Sequence, residues 1–328
     1  MTKRAKALSR KIRRPLEWFG IWLAQVLVPR LSRPNVVRLA DLISALAPAF
    51  DRRGKKIAQA NLRLMFGARM TPAREDVIIR RSYRTVMRTI LNLFWLLRDT
   101  RERILEQVEF TPGTLDRIRH LQPAVMLSAH LGNWELVAQG GVANGIPIMC
   151  VAKQIGTPAM TELLTRQRAA IGQEIVPVEG ALRALIRTLK GGKSVGVLVD
   201  QHMDASEGGT ACTFFGLPVS VSMTPATLSR KLGVPILFVW ARPLRGARYR
   251  IECSDVFLPD PSIPDTVRTQ QLSDAIERVV RRHPSYWCLT YRRWRRICPG
   301  GEDLPYPFYA RASRLSATEH PRSGPTAT

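Results

Sequence analysis

The chain has 328 residues, enough for one large domain or two small ones, and its 45% hydrophobic and 23% charged residues are ordinary for a globular core. Its 50 lysine and arginine residues outnumber 26 acidic residues, and a formal charge of +24 attracts nucleic acid, an anionic membrane or an acidic protein. The five cysteines are scattered and lack C-x-x-C spacing, which indicates reduced thiols in a cytosol-facing protein and argues against a zinc site.

The first 30 residues combine a basic arm with an apolar helix. Up to Arg38 the chain has ten lysine or arginine residues and a single acid, Glu17. The 13 residues between Pro15 and Pro29 would extend roughly 20 Å as a helix, whereas a membrane crossing needs about 20 apolar residues. Residues 1–30 are therefore predicted to form an amphipathic or shallowly inserted membrane anchor. Its apolar side consists of Trp18, Phe19, Trp22 and Leu23. The alternative is an ordinary core helix with a basic arm.

Residues 31–107 are predicted to be entirely helical and to pack on the core. Three segments space their apolar residues as helices do: 35–50, 51–67 and 70–99. The third has Thr71 as its N-cap and Pro72 at the first helical position, with acids in the first turn. The N-terminal third of the chain is thus predicted to be an all-helical region that associates with a membrane.

After residue 107 the pattern changes to short apolar runs separated by helical segments. The runs are Pro123–Ala129, Ile146–Ala152, Glu174–Val178, Ser194–Asp200 and Val234–Ala241. The helical segments are Trp134–Asn144, Thr157–Ile171, Ala181–Lys190 and Thr224–Leu232. Apolar strands that alternate with helices are typical of a mainly parallel sheet covered on both faces. We therefore predict an α/β core over residues 108–309, in which a mainly parallel central sheet is flanked by helices.

Four segments complete the prediction. Residues 248–257 alternate polar and apolar side chains, which predicts an edge strand. Residues 266–284 are predicted to form a final helix, and 285–294 a last strand. Residues 310–328 are rich in Ser, Pro, Arg and Thr and are predicted to be a disordered tail.

A titratable pair lies where the first predicted strand ends, in the stretch HLGNWE. His130 and Glu135 are five residues apart, which on a continuous helix is a net turn of about 140°, so they would not share a face. Gly132 permits the chain to bend, and Asn133 is a natural N-cap for a helix that starts at Trp134. The stretch therefore predicts a strand, a turn and a helix, with the imidazole on the turn.

A carboxylate beside an imidazole raises its pKa and selects its tautomer. Because ligands of parallel α/β sheets collect at the carboxyl ends of strands, His130 is well placed to take a proton from a hydroxyl as a general base assisted by Glu135. The alternative is a capping glutamate next to an incidental histidine.

Several motifs together resemble the late lipid A acyltransferases of the lysophospholipid acyltransferase superfamily. HLGNWE resembles their H-x-x-x-x-[DE] box, and residues 51–67 resemble their helix with the Asn-Leu-Arg sequence. Residues 191–243 resemble their Asp-Gln block, Phe-Phe-Gly turn and following helix and strand, and 286–295 their aromatic and Arg-Arg segment. The resemblance covers roughly residues 15–300 in the family's order.

This resemblance implies an O-acyltransferase on the cytoplasmic face of a bacterial inner membrane. Such enzymes move a fatty acyl chain from a thioester, usually on acyl carrier protein, to a hydroxyl of an anionic membrane glycolipid such as a lipid A precursor. His130 would be the base and Glu135 its partner, and the hydroxyl would attack the thioester directly, with neither a metal nor another cofactor. The sequence has no G-x-S-x-G nucleophile elbow, which agrees with direct attack.

The candidates for substrate binding come from the same motifs. They are Asn133, Arg166, Arg168, Asp200, Gln201, Phe214, Phe215, Arg292 and Arg293. Asp200 and Gln201 follow an apolar strand, so they should face the same sheet edge as His130 and orient a base or bind a hydroxyl. The arginines are candidates for phosphate binding and the phenylalanines for an acyl groove. For each candidate an ordinary surface, capping or packing role is the alternative.

Two positions depart from the family's pattern. His202 follows Asp-Gln where relatives often carry an acid, and Tyr291 occupies a position where many relatives have histidine. Both departures concern the acceptor rather than the reaction class.

Two other functions remain open from the sequence. The first is an acyltransferase of the same fold that uses acyl-CoA and another acceptor, such as a phosphatidylinositol mannoside or a lysolipid. The second is a basic protein without enzymatic activity that binds a membrane or nucleic acid. No zinc-finger, RRM-like or KH-like pattern is present, so nucleic acid is not expected as a partner.

Overall fold

A seven-stranded sheet forms the centre of the computed structural model, which describes residues 18–152, 158–178 and 180–312. Its strands are β1 (Val108–Phe110), β2 (Val125–Ser128), β3 (Ile148–Ala152), β4 (Glu174–Pro177), β5 (Ser194–Leu198), β8 (Ile236–Pro243) and β9 (Tyr249–Phe257), and the hairpin β6 (Gly209–Phe214) and β7 (Leu217–Ser222) stands apart. The spatial order is β1-β9-β8-β2-β5-β3-β4. All neighbouring strands are parallel except β8 and β9. The predicted α/β fold with a mainly parallel sheet is confirmed.

Helices cover the sheet. Residues 18–27 are helical (α1), followed by α2 (Arg33–Phe50), α3 (Arg52–Phe66), α4 (Pro72–Trp95), α5 (Thr100–Gln107), α6 (Thr114–His120), α7 (Trp134–Ala143), α8 (Pro158–Ala169), α9 (Ala181–Lys190), α10 (Thr224–Leu232) and α11 (Asp265–Arg282). The α9 and α10 boundaries coincide with the predicted ones. In α4, the N-cap Thr71 accepts a hydrogen bond from the Arg74 backbone amide at 3.3 Å, as the sequence predicts.

The core has two apolar layers, one on each face of the sheet. Successive residues of a strand point to opposite faces, so Leu127 of β2 belongs to one layer and Met126 to the other. The Leu127 layer includes residues of α3, α9, α10 and α11, and the Met126 layer includes residues of α2, α5, α6 and α7. The N-terminal helices thus contribute to the same apolar layers as the sheet, while the division of the chain at residue 108 stays a prediction.

Residues 248–257 do form a strand, but the prediction of an edge strand is wrong. β9 lies between β1 and β8. The three-residue β1 pairs only with Tyr249–Ile251, so most of β9 has no strand on that side. The alternating pattern reports that one face of the strand, with Tyr249 and Ile251, is buried, and it carries no information on whether a strand pairs on each side.

The prediction of a last strand over 285–294 is also wrong. A 3-10 turn covers Pro284–Tyr286, and the chain then runs irregularly, with one isolated bridge between Trp287 and Leu131. Two short strands follow, β10 (Arg296–Ile297) and β11 (Arg311–Ala312), which pair in parallel. The aromatic residues that favoured a strand are buried instead in a cluster around Trp287 and Trp294.

The predicted membrane anchor is described only in part. Among the described residues, no helix is long and apolar enough to cross a membrane. The four residues of the predicted apolar side, Trp18, Phe19, Trp22 and Leu23, are all exposed on α1. Residues 1–17 of the basic arm and 313–328 of the predicted tail lie outside the described residues.

Candidate active site

The turn between β2 and α7 requires a glycine. Gly132 has a φ of +60°, and a Cβ atom there would lie 1.9 Å from the Ala241 carbonyl oxygen. Asn133 is fully buried and caps α7, since its Oδ1 accepts a hydrogen bond from the Leu136 amide at 3.4 Å. The strand, turn and helix therefore follow the order that the HLGNWE stretch predicts, with His130 on the turn and Glu135 in the first helical turn.

The carboxylate that contacts His130 is Asp200. His130 Nδ1 lies 2.8 Å from Asp200 Oδ1, and the His130 backbone amide donates to Asp200 Oδ2 at 3.0 Å. The indole Nε1 of Trp287 donates to the same Oδ2 at 2.9 Å. β2 and β5 are adjacent and parallel, so their carboxyl ends bring His130 and Asp200 together across 70 positions of sequence. Asp200 is buried, with both oxygens hydrogen-bonded.

These contacts define the tautomer of His130. A carboxylate only accepts hydrogen bonds, so Nδ1 carries the proton that points to Asp200. On the other side of the ring, Gln201 Nε2 lies 3.2 Å from His130 Nε2. Because an amide nitrogen only donates, Nε2 is the acceptor in this contact. His130 therefore holds its basic nitrogen on the side away from Asp200, with 21% of its side chain exposed.

The charge of Asp200 also raises the basicity of the imidazole. Burial by itself lowers the pKa of His130, but the negative charge and the hydrogen bond of Asp200 raise it, and the net pKa lies above its ordinary value. For Asp200 the directions are reversed. Burial raises its pKa, but the contacts with His130 and Trp287 bring that pKa below its ordinary value. The pair is thus held as a carboxylate beside an imidazole that binds a proton readily.

Glu135 does not make the contact with His130 that the sequence predicts. Its two carboxylate oxygens lie 3.1 and 2.8 Å from Nη2 of Arg168, a buried residue of α8. The first turn of α7 directs Glu135 toward α8, because Gly132 and Asn133 turn the chain before the helix starts. Through its charge, Glu135 still helps to raise the pKa of His130, but it does so less than Asp200 does.

The other predicted binding residues divide into two groups. Asp200 and Gln201 contact His130 directly, whereas Arg168 contacts Glu135. Arg166 is exposed and pairs with Glu162 on its own helix.

Phe214, Phe215 and Arg293 are buried in a packing cluster rather than exposed in a groove. Phe214 contacts the rings of Trp287 and Trp294, and the Arg293 guanidinium lies 5.5 Å from the Phe214 ring centroid. Arg292 is half-buried. An acyl groove lined by the two phenylalanines stays a prediction.

Two contributions were not predicted from the sequence. Trp287 holds Asp200 from a segment 87 residues further along the chain, and only the similarity of 286–295 to the family's aromatic segment pointed there. The two positions that depart from the family's pattern also contact each other, since the His202 backbone amide donates to Tyr291 Oη at 3.0 Å. The His202 ring itself turns to Asp204, at 2.9 Å from its Oδ1.

The fold and the site together define a class of protein. A buried carboxylate holds an imidazole at the carboxyl edge of a parallel sheet, an arrangement typical of enzymes that take a proton from a hydroxyl nucleophile.

Sequence comparison agrees with this class. The sequence profile of the family described as bacterial lipid A biosynthesis acyltransferase matches residues 2–296, and the chain belongs to this family of acyltransferase enzymes. It is 24% identical over 177 residues to the phosphatidylinositol mannoside acyltransferase of Mycobacterium tuberculosis (strain CDC 1551 / Oshkosh), covering 52% of this chain and 54% of the relative. The identity to the protein of the same name from Mycolicibacterium smegmatis is 24% over 178 residues, covering 52% and 56%. The chain thus matches about half the length of these curated relatives.

Proposed function

We propose that this protein is an O-acyltransferase that moves a fatty acyl chain from acyl carrier protein to a hydroxyl of a membrane glycolipid such as a lipid A precursor. The observation that carries the proposal is the 2.8 Å contact between His130 Nδ1 and buried Asp200, which leaves Nε2 as the basic nitrogen. Membership of the acyltransferase family supports the reaction class. The excess of positive charge supports acyl carrier protein as the donor, because an acidic carrier protein complements a basic surface.

The proposed reaction needs one base and no covalent enzyme intermediate. His130 Nε2 accepts the proton of the acceptor hydroxyl while the hydroxyl oxygen forms a bond to the thioester carbonyl carbon. The resulting tetrahedral intermediate collapses, the carbon–sulfur bond breaks, and the imidazolium returns the proton to the leaving thiolate. Asp200 stabilises the imidazolium between these two steps, since its carboxylate is already hydrogen-bonded to Nδ1.

Gln201 is proposed to donate to the substrates. Its amide nitrogen is hydrogen-bonded to Nε2 of His130 at 3.2 Å, and Gln201 is exposed. An acceptor hydroxyl that binds to Nε2 must therefore displace this amide. The displaced amide remains close to the atoms that react, where its N–H groups can stabilise the negative charge that develops on the carbonyl oxygen. Gln201 would then both bind the thioester carbonyl and stabilise the charge that develops on it.

A second candidate function keeps the chemistry and changes the substrates. The curated relatives carry the name phosphatidylinositol mannoside acyltransferase, which favours an acceptor of that kind. We pair this acceptor with acyl-CoA as the alternative donor. Both candidates use a hydroxyl nucleophile and a thioester, so the site geometry fits either pair.

Radiolabelled acyl transfer distinguishes the candidates. Purified full-length protein is mixed with acyl carrier protein or coenzyme A loaded with the same labelled chain, and with a lipid A precursor, a phosphatidylinositol mannoside or a lysophospholipid. We expect label on the lipid A precursor when acyl carrier protein is the donor. Label on the mannoside from acyl-CoA would establish the second candidate instead. Salt-sensitive DNA binding without transfer to any of the lipids would refute both.

We further propose that α1 lies on the cytoplasmic surface of a bacterial inner membrane. Trp18, Phe19 and Trp22 are 47%, 59% and 56% exposed, although aromatic residues of this size are usually buried in a soluble protein. Amphipathic aromatic rings next to a basic arm are typical of helices that lie in the headgroup region of anionic lipids.

Vesicle sedimentation tests the membrane proposal. Deleting residues 1–29 would also remove the buried Val28 and Pro29, so we substitute the exposed rings instead. The triple variant Trp18→Gln/Phe19→Gln/Trp22→Gln should sediment much less with vesicles that contain anionic lipid. The matched control is Phe308→Gln, which removes a ring that is 70% exposed elsewhere and should sediment as the unchanged protein does. Equal sedimentation of the triple variant would show that α1 is not the main attachment.

A further inference from the structure

The irregular segment 286–291 forms one wall of the site. Trp287 donates its indole N–H to Asp200, and the Cys288 amide donates to the His130 carbonyl oxygen at 3.1 Å. The Tyr286 carbonyl accepts a hydrogen bond from the Gly132 amide at 2.8 Å. The segment therefore touches the base, the carboxylate that orients the base and the turn that carries it.

After Tyr286, which ends the 3-10 turn, this segment belongs to no helix or longer strand, so its backbone needs partners from elsewhere. A buried carbonyl without a hydrogen bond is strongly disfavoured. Side chains of the N-terminal helices supply the partners. Ser82 of α4 donates to the Trp287 carbonyl at 2.6 Å, and Thr85 donates to the Ser285 carbonyl at 3.1 Å.

Asn61 of α3 is the side chain that donates to two carbonyls of the segment, while Ser82 donates to one carbonyl and accepts from the Leu289 amide at 3.3 Å. The Nδ2 of Asn61 donates to the Leu289 carbonyl at 2.8 Å and to the Tyr291 carbonyl at 2.9 Å. Its Oδ1 accepts a hydrogen bond from Tyr309 Oη. The side chain is fully buried, and Leu289 is 228 residues away in sequence. An amide is the group that can serve two carbonyls and one hydroxyl at once, because it has two N–H donors and an acceptor oxygen.

We propose that Asn61 is a positioning residue for the acyl-transfer reaction. Its hydrogen bonds fix the carbonyls of Leu289 and Tyr291 and so hold the segment that carries Trp287. The Trp287 indole is thereby kept within hydrogen-bond distance of Asp200, and Asp200 in turn orients the His130 ring. This inference rests on the proposed function only in that His130 is the base. The proposal also gives a reason why the Asn-Leu-Arg motif of α3, in which Asn61 lies 69 positions before His130, is one of the family's motifs together with the HLGNWE stretch.

The test combines kinetics with a spectroscopic signal from Trp287. Asn61→Leu has a similar volume and removes both donors. We expect kcat to fall about 10²-fold, because a displacement of a catalytic group by about 1 Å has an effect of this size. The KM values for the donor and for the acceptor should change little. In ¹⁵N-tryptophan-labelled protein the indole N–H resonance of Trp287, assigned with Trp287→Phe, should move. Ser82→Ala removes one hydroxyl and should change kcat and the resonance in the same direction by less.

The matched control is Gln107→Met, which removes a buried amide of α5 whose side chain donates to the Arg103 carbonyl, away from segment 286–291. It should leave kcat and the resonance unchanged. Folded Asn61→Leu or Ser82→Ala protein with unchanged kcat and an unmoved resonance would overturn the proposal, as would an equal kcat loss in Gln107→Met. The resonance does not depend on turnover. If His130→Ala keeps its activity while Asn61→Leu moves the resonance, the base assignment fails and the positioning of Trp287 stands.

Discussion

Replacing His130 by alanine should lower acyl transfer by about 10³-fold or more, because positioned proton transfer contributes roughly 10²- to 10⁴-fold to such reactions. The imidazole takes the proton of the hydroxyl and later protonates the leaving thiolate, and Asp200 acts on the substrate only through it. Loss of the imidazole therefore removes both proton transfers. The measurement is kcat for radiolabelled transfer by purified protein at saturating donor and acceptor. Acceptor KM should change much less than kcat, since the loss is in the transition state.

The control for this variant is another histidine. His120 ends α6 and is exposed, so His120→Ala should transfer acyl groups at the unchanged rate. Thermal unfolding of both variants shows whether the fold is kept. Full transfer by folded His130→Ala protein would rule out His130 as the base.

The second large effect is expected for Asp200→Asn, which keeps the shape of the side chain and removes its charge. The turnover number should fall roughly 10²- to 10⁴-fold, because an amide can donate to Nδ1 and so turn the basic nitrogen toward the protein. The pH profile should change as well. Transfer needs neutral His130, so kcat falls as the pH drops through the pKa of His130, and Asp200 raises that pKa above its ordinary value of about 6.5. Removing the carboxylate lowers the pKa, so the acid limb of the profile should move to lower pH.

Glu135→Gln is the matched comparison, because it also replaces a carboxylate by an amide in the same site. Glu135 contacts Arg168 and influences His130 only through its charge. The acid limb of the pH profile of Glu135→Gln should therefore move in the same direction as that of Asp200→Asn, by a smaller amount. The measurement is kcat for both variants from pH 5 to 9 at saturating substrates. A larger displacement in Glu135→Gln than in Asp200→Asn would return Glu135 to the role that the sequence alone predicts for it.

The arrangement of the two acids has a physical explanation. Asp200 is buried, yet it stays ionised because it accepts hydrogen bonds from the His130 ring, the His130 amide and the Trp287 indole. Glu135 instead forms an ion pair with the guanidinium of buried Arg168. One carboxylate is therefore reserved for the base, and the other balances an arginine charge between α7 and α8.

Local chemistry made much of this protein predictable from its sequence. The alternation of apolar runs and helices indicated the parallel sheet, since strand and helix periodicities are properties of neighbouring residues. The turn at Gly132 and the cap at Asn133 were predictable for the same reason. A left-handed φ and a capping oxygen are demands of a few consecutive residues, and the structure meets both. The family resemblance, which rests on several such local motifs in order, also identified the acyltransferase family.

Contacts between distant residues were decided by the tertiary structure. Spacing made Glu135 the expected partner of His130, but neighbouring strands brought Asp200 there across 70 positions. Segment 285–294 has the aromatic composition of a strand, yet its backbone bonds to side chains of α3 and α4. No periodicity within the segment records those partners, because they are more than 200 positions away. The sequence by itself determined most of the central strands and helices and placed the imidazole at a strand end, because these are demands of neighbouring residues. Only the packing of those elements determined which groups surround the imidazole.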